Sequence, residues 1–287
     1  MVDKEKLLYR RQYFIGPRPF EGEGRWNTIK ISNKHILSYH SDLNLVISSI
    51  SNKKIILLGN IIDSKNPILT DEEIISSLLK KSKNADDVFE YLADTCGRYV
   101  IILLWDEDFR IFSDSCGLRQ IFYHIDEDKN VWCASQPHLI GRNLKLKIDN
   151  KKKEDFIKTP LFRGDNYWFP GKITLFDRVF HLLPNHYIDL NLASTRRYWP
   201  RRILPKREVS EAIKSASEIL TNIIEGAYLR YDLAFSISCG WDSRILLSVC
   251  RKVADKIRYI TLAPTSGSNQ DPDVYITRRM LNNLKLK

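Results

Sequence analysis

Near Pro200 the chain changes its period. From Gln12 to about Tyr198 short runs of β-branched and aromatic residues predominate, whereas beyond Pro200 long apolar patterns with three- and four-residue spacing alternate with single short strands. A chain that switches in this way reads as two domains, strands with a few helices first and alternating β and α after. The 287 residues have length enough for both. We place the domains at 1–198 and 199–287.

In the first part the strand candidates are 54–58, 99–105, 109–112, 121–124, 131–134, 172–176 and 187–190. One helix opens at Thr70-Asp71-Glu72-Glu73, a capping-box pattern, and runs to about Lys81. Another opens at Asn84 and stops before Gly97, a residue suited to the left-handed conformation after a helix end. The expected architecture is an α+β domain, a two-sheet sandwich with helices outside. Segment 196–207 carries six basic residues and two prolines and reads as a linker, with a nucleic-acid patch around Tyr198 and Trp199 as the alternative.

Past the linker, Val209, Ala212, Ile213, Ala216, Ile219, Leu220, Ile223, Ile224 and Ala227 predict an amphipathic helix laid against a core. A strand (233–237), a tight loop, a helix (242–254), a strand (257–262), a polar loop and a last helix from Pro272 follow. This βαβα order predicts a parallel sheet.

Composition narrows the class. Hydrophobic residues at 43% and charged residues at 28% exclude global disorder. No apolar stretch approaches the ~18 to 20 residues of a membrane span, and the first residues hold no apolar signal segment, so the expectation is a soluble cytoplasmic protein. Five scattered cysteines without a C-x-x-C pair argue against a disulfide framework and a zinc site, and the six histidines show no metal spacing. The formal charge of +10 favours anionic partners, or is no more than a basic surface.

The segment richest in chemistry is Ser236-Ile-Ser238-Cys239-Gly240-Trp-Asp242-Ser243, a strand that turns directly into a helix. Such a turn gathers backbone N–H groups and the positive end of a helix dipole in one concavity, which favours a pyrophosphate. Ser238 and Ser243 add hydroxyl donors, Gly240 allows close approach, and Asp242 beside phosphates calls for a bridging Mg²⁺. The competing reading is an ordinary turn in which Asp242 and Ser243 cap the helix.

The loop resembles the S-G-G-x-D-S pyrophosphate loop of the ATP pyrophosphatase superfamily, with Cys239 in place of the first glycine; a cysteine fits there only at negative φ. Upstream, Cys96-Gly-Arg-Tyr-Val100, Ser113-Asp114-Ser-Cys-Gly117-Leu-Arg119-Gln-Ile-Phe-Tyr123, Trp132-Cys-Ala-Ser135, Leu182-Leu-Pro-Asn-His-Tyr187 and Arg197-Tyr-Trp199 look like a class II glutamine amidotransferase domain, an Ntn-type sandwich. In this order, over about 54–287, the pieces resemble the asparagine synthetase family, β-lactam synthetases included. Gln120 and Asn185 stand where its members usually carry proline and glycine.

The resemblance implies an ATP-dependent amide-forming ligase with ATP and Mg²⁺ as cofactors and an unidentified small carboxylate and amine as substrates. ATP would be held by Ser236, Ser238, Cys239, Gly240, Asp242, Ser243, Thr261 and Leu262, the last two near the adenine, with Asp242 as metal ligand. Asp271 and Asp273 match the family's acidic residue near the next helix, or are an N-cap and its first turn. The family's nucleophile is an N-terminal cysteine, and Val2 stands there, so no glutaminase residues are expected. Family members continue well beyond the position of Lys287, so the nucleotide domain is expected to be incomplete and a second chain could complete it. Two further readings stand beside the ligase: a non-catalytic remnant that binds nucleotide or protein, and an RNA-modifying enzyme with the same loop. The preceding domain of about 230 residues argues against the RNA enzyme, so neither nucleic acid nor membrane is an expected partner.

Overall fold

The computed structural model describes residues 7–163, 169–263 and 271–286. They form two compact units, one within Met1–Ile61, Asp71–Ala93 and Gly97–Leu204, the other within Ile62–Thr70, Asp94–Cys96 and Pro205–Lys287. No helix among the described residues is long and apolar enough to cross a membrane.

The first unit is built on two six-stranded sheets. Its strands are β1 (Tyr13–Gly16), β2 (Trp26–Lys30), β3 (Ile36–His40), β4 (Leu45–Ile50), β5 (Lys53–Asp63), β6 (Thr95–Trp105), β7 (Asp108–Ser113), β8 (Phe122–Ile125), β9 (Val131–Ala134), β10 (Phe180–His181), β11 (His186–Asp189) and β12 (Ser194–Arg197). The order is β10-β8-β9-β1-β3-β2 in one sheet and β12-β11-β7-β6-β5-β4 in the other. The paired strands run antiparallel, with Ile102 opposite Ile111 and Ile15 opposite Leu37.

Both faces of each sheet are covered. Tyr13, Ile15 and Leu37 from the first sheet meet Ile56, Leu58, Ile102 and Ile111 from the second in one buried cluster. Because side chains alternate along a strand, Ile55, Leu57 and Ile101 point the other way, and they are buried too. That outer face carries α1 (Asp71–Lys81), which packs along β4, and α2 (Asp87–Leu92), whose Phe89 meets Phe112 of β7. On the opposite side α3 (Pro137–Asn143) sets Leu139 and Ile140 against Phe14 and Trp132. The result is the expected sandwich with helices outside. Two short helices, α4 (Asn150–Ile157) and α5 (Pro160–Arg163), follow.

Three local expectations fail for identifiable reasons. Segment 172–176 is not a strand: the Thr174 hydroxyl donates to the Val179 carbonyl at 2.7 Å and accepts from the Phe176 amide at 3.3 Å, which turns the chain there, and Phe176 keeps one isolated bridge to Ile148. The second helix is shorter than expected, because Asn84 Oδ1 accepts from the amides of Asp86 and Asp87 and holds a turn ahead of it. Gly97 does not end a helix. It lies inside β6 at φ +144°, where its backbone passes the Asn60 carbonyl of β5.

His35 illustrates what burial costs an ionisable group here. Its ring packs edge-on to Phe109 and its Nδ1 lies 3.2 Å from Ser32 Oγ. Burial, aided by Lys34, lowers its pKa to about 4. The neutral ring is therefore the folded form, and its contribution to stability is complete above pH 6.5 and lost as pH falls towards 4. The shift corresponds to about 3 kcal/mol. Denaturant titrations of His35→Phe should show a flatter loss of stability between pH 6.5 and 4 than the parent. Burial shifts His138 and His181 in the same direction, so the slope should shrink without vanishing.

The second unit contains α6 (Val209–Arg230), β13 (Ala234–Ser236), α7 (Trp241–Val249), a 3₁₀ turn (Ala254–Lys256), β14 (Arg258–Ile260) and α8 (Pro272–Asn283). β13 and β14 pair in parallel, Phe235 opposite Tyr259, with α7 as the crossover. The expectation that α6 lays its whole apolar stripe on a core is corrected. Gly226 is buried near Pro67 and Ile62, but Val209 and Ile213 are 73% and 64% exposed, so only the C-terminal half packs.

Candidate functional site

β13 and β14 are anchored beneath the loop by a cluster of Cys250, Val253 and Ile257 with Phe235 and Tyr259 against it. The Ile237 amide donates to the Ile260 carbonyl at 2.9 Å, and Thr261 Oγ1 donates to the Ile237 carbonyl at 3.0 Å. Thr261 therefore ties the two strand ends together. Leu262 next to it is 79% exposed, and Ser236 lies on the exposed side of β13.

The turn itself is organised around a buried hydroxyl. Ser243 Oγ donates to the Ser238 carbonyl at 2.9 Å, accepts from the Ser238 amide at 3.2 Å, and lies 3.1 Å from Ser238 Oγ. Ser238 Oγ in turn accepts from the Gly240 amide at 3.2 Å. Both serines are thus spent on holding the loop in shape. Cys239 is not among the positive-φ residues, so the thiol-bearing side chain fits where the resemblance has glycine. Gly240 has φ −67°, a conformation open to any residue.

Asp273 adds an acidic element. Its Oδ1 accepts from the Cys239 amide at 2.8 Å, and hydrogen bonds from the Cys239 thiol and amide hold its carboxyl below the usual range. The same contact pushes the Cys239 thiol up. Asp271 caps α8 by accepting from the Asp273 amide at 2.9 Å, with Pro272 at the first helical position. The structure therefore divides the acidic pair: Asp271 is a cap, while Asp273 reaches the loop.

Among the described residues no side-chain hydrogen bond caps the start of α7, whose N-cap is Gly240, leaving its first amides and positive dipole end for an anion. Asp242 sits exposed on that first turn. The Arg244 guanidinium lies 4.5 Å from the Trp241 ring, and its Nε donates to the Gly240 carbonyl at 3.3 Å. Among the described residues no group of three or more His, Cys, Asp or Glu could hold a metal. A cation at Asp242 would take most of its ligands from phosphate oxygens and water, as Mg²⁺ commonly does. Val2 lies outside the described residues.

Sequence reasoning missed a basic cleft in the first unit lined by Arg10, Arg11, Arg98 and Arg119. Of its signals only the Arg10-Arg11 pair is visible locally, since Arg98 comes from β6 and Arg119 from the turn after β7.

No protein-family model matches the chain, and no curated protein matches it. Among solved structures it is similar to glutamine phosphoribosylpyrophosphate amidotransferase from B. subtilis in complex with ADP and GMP, at 14% identity and a TM-score of 0.41 over 96% of this chain. It is also similar to a structure described as the allosteric regulatory enzyme of purine biosynthesis, at 13% identity and a TM-score of 0.39 over the same share. The chain spans 66% of the length of each of these structures.

Proposed function

We propose that the second unit binds ATP with Mg²⁺ through the Ser238–Ser243 turn, in the service of an adenylating, amide-forming ligation of the asparagine synthetase type. The observation that carries this reading is the uncapped start of α7, which follows a serine-pinned turn at the end of a parallel strand. In such a ligation a substrate carboxylate oxygen attacks the α-phosphorus and the bond to the β-phosphate oxygen breaks. Pyrophosphate leaves with the electron pair. An amine nitrogen then attacks the acyl carbon, AMP departs, and the amine proton passes to solvent. This chain's part is to hold the leaving pyrophosphate with the first amides of α7 and to offer Asp242 to the cation that neutralises it.

Asp273 gives the proposal a distinctive test, because its carboxylate occupies an amide that an incoming phosphate would use. Thermal unfolding with ATP and Mg²⁺ should show stabilisation of about 1.4 kcal/mol at ten times the dissociation constant. Asp242→Ala should abolish the Mg²⁺-dependent part, and Asp273→Asn should tighten binding several-fold by removing a competing negative charge. No response at millimolar ATP, or equal responses in all three proteins, would refute the assignment. Pyrophosphate release with a panel of carboxylates and amines distinguishes a ligase from a second reading. That second reading is a module that binds without turnover, favoured by the same Asp273 contact.

A further inference from the structure

The first unit contains a cleft of about 490 Å³, within the size range of small-molecule sites, and its wall carries four arginines. Arg119 is the unusual one. It is only 8% exposed, and its guanidinium donates to two backbone carbonyls, from Nε to Arg98 and from Nη1 to Arg11, both at 3.2 Å. No carboxylate pairs with it among the described residues, although a buried charge is normally paired. The nearby Asp114 has its carboxylate oxygens bonded to the amides of Tyr99, Leu118 and Arg119 itself. Burial accordingly lowers the Arg119 pKa.

The other three arginines stand at the more exposed edge. Arg10 pairs with Asp42 at 2.7 Å. Arg98 Nε donates to the Leu118 carbonyl at 3.1 Å and has no carboxylate partner among the described residues. Arg11 is exposed at φ +58° and its side chain has no partner among the described residues. The neutral side chains of Gln12, Asn60, Gln120, Ser135 and Gln136 complete the polar lining. Three arginines with no carboxylate partner among the described residues therefore line one cavity. A fold retains such an arrangement at a cost in self-repulsion unless an anion is bound.

We propose that this cleft binds a diphosphate group, free or carried on a small organic molecule, through Arg11, Arg98 and Arg119. Three guanidiniums match the roughly three negative charges of a diphosphate near neutral pH, and their forked donors suit phosphate oxygens. All the lining residues belong to the first unit, so the proposal is independent of the loop at Ser238–Ser243.

The test is calorimetric titration of the full chain with inorganic pyrophosphate in 0.15 M salt without Mg²⁺. Inorganic phosphate, citrate and methylene diphosphonate are run beside it. Saturable binding of pyrophosphate and the diphosphonate, at least tenfold tighter than phosphate or citrate, is expected. The double substitution Arg11→Gln/Arg98→Gln, confined to exposed side chains, should weaken it about ten- to a hundredfold. Arg178→Gln, at a surface arginine paired with Glu127 and Asp177 and outside the cleft lining, should leave it unchanged. Absence of saturable heat at millimolar pyrophosphate, equal affinity for citrate, or full retention in the double variant would each overturn the proposal. An organic diphosphate that binds tighter than pyrophosphate identifies the carried form, and one that binds no better identifies the free anion.

Discussion

Gly97→Ala is expected to destabilise the sandwich by about 4 kcal/mol, within a range of about 2–6, a large part of a typical domain's stability. Two effects combine. At φ +144° a side chain brings backbone strain of about 1–3 kcal/mol. A methyl group there would also lie 2.2 Å from the Asn60 carbonyl oxygen, which is backbone in a central strand and has nowhere to move. Overpacking of this kind adds about 1–3 kcal/mol again. Gly171 supplies the control. It has φ +63° but nothing within 4 Å of the added carbon, so Gly171→Ala should lose only about 1 kcal/mol. Hydrogen exchange at the β6 amides measures the sandwich separately from the second unit. Equal effects of the two substitutions would show that the close approach of β5 and β6 contributes nothing.

A loss of similar size is expected for Phe89→Ala. The ring stacks on Tyr198 at 4.2 Å with an interplanar angle of 8°, meets Phe112 edge-on at 4.8 Å and stacks on Tyr187 at 5.7 Å. The guanidiniums of Arg110 and Arg201 lie 5.8 and 5.7 Å from its centroid. Truncating a buried phenylalanine costs about 3–5 kcal/mol, and the aromatic pairs place this one in the upper half of that range. Phe89→Leu, which keeps most of the volume, should cost less than half as much. The check is the shift in denaturant midpoint together with the near-ultraviolet signal of Tyr198, which should lose its fixed environment in Phe89→Ala alone.

Gly97 and the strand it belongs to also show where sequence reading succeeds and where it stops. The apolar run through Tyr99–Trp105 identified the core strand because its residues are buried on both faces, and such runs carry their own signal. Gly97 reads as a helix end because a glycine after a helix and a glycine in a crowded strand look alike until the neighbouring strand is known. The loop from Ser238 to Ser243 was legible because its partners lie within five residues of one another. The reach of Asp273 to the Cys239 amide was not, since it spans two elements and depends on where α8 begins. The stripe on α6 announced a helix correctly, but periodicity says only that a face is apolar and nothing about what lies opposite. Arg119 was noticed as part of a motif, yet its burial without a carboxylate arises only when β1, β5, β6 and the turn after β7 meet.

The turn from Asp114 to Gly117, closed by a 2.9 Å backbone hydrogen bond, also hands the experimenter a reporter. All five cysteines are free thiols; Cys133 and Cys250 are buried, Cys96 and Cys239 are partly covered, and Cys116 on this turn is exposed. Hydrogen bonding to Asp273 slows Cys239 further by disfavouring its thiolate. A maleimide dye added at substoichiometric ratio should therefore label Cys116 first, beside Leu118 and Arg119 on the wall of the arginine cleft. Occupancy of that cleft can then be followed by fluorescence in the unaltered chain, with the native sequence supplying the attachment point.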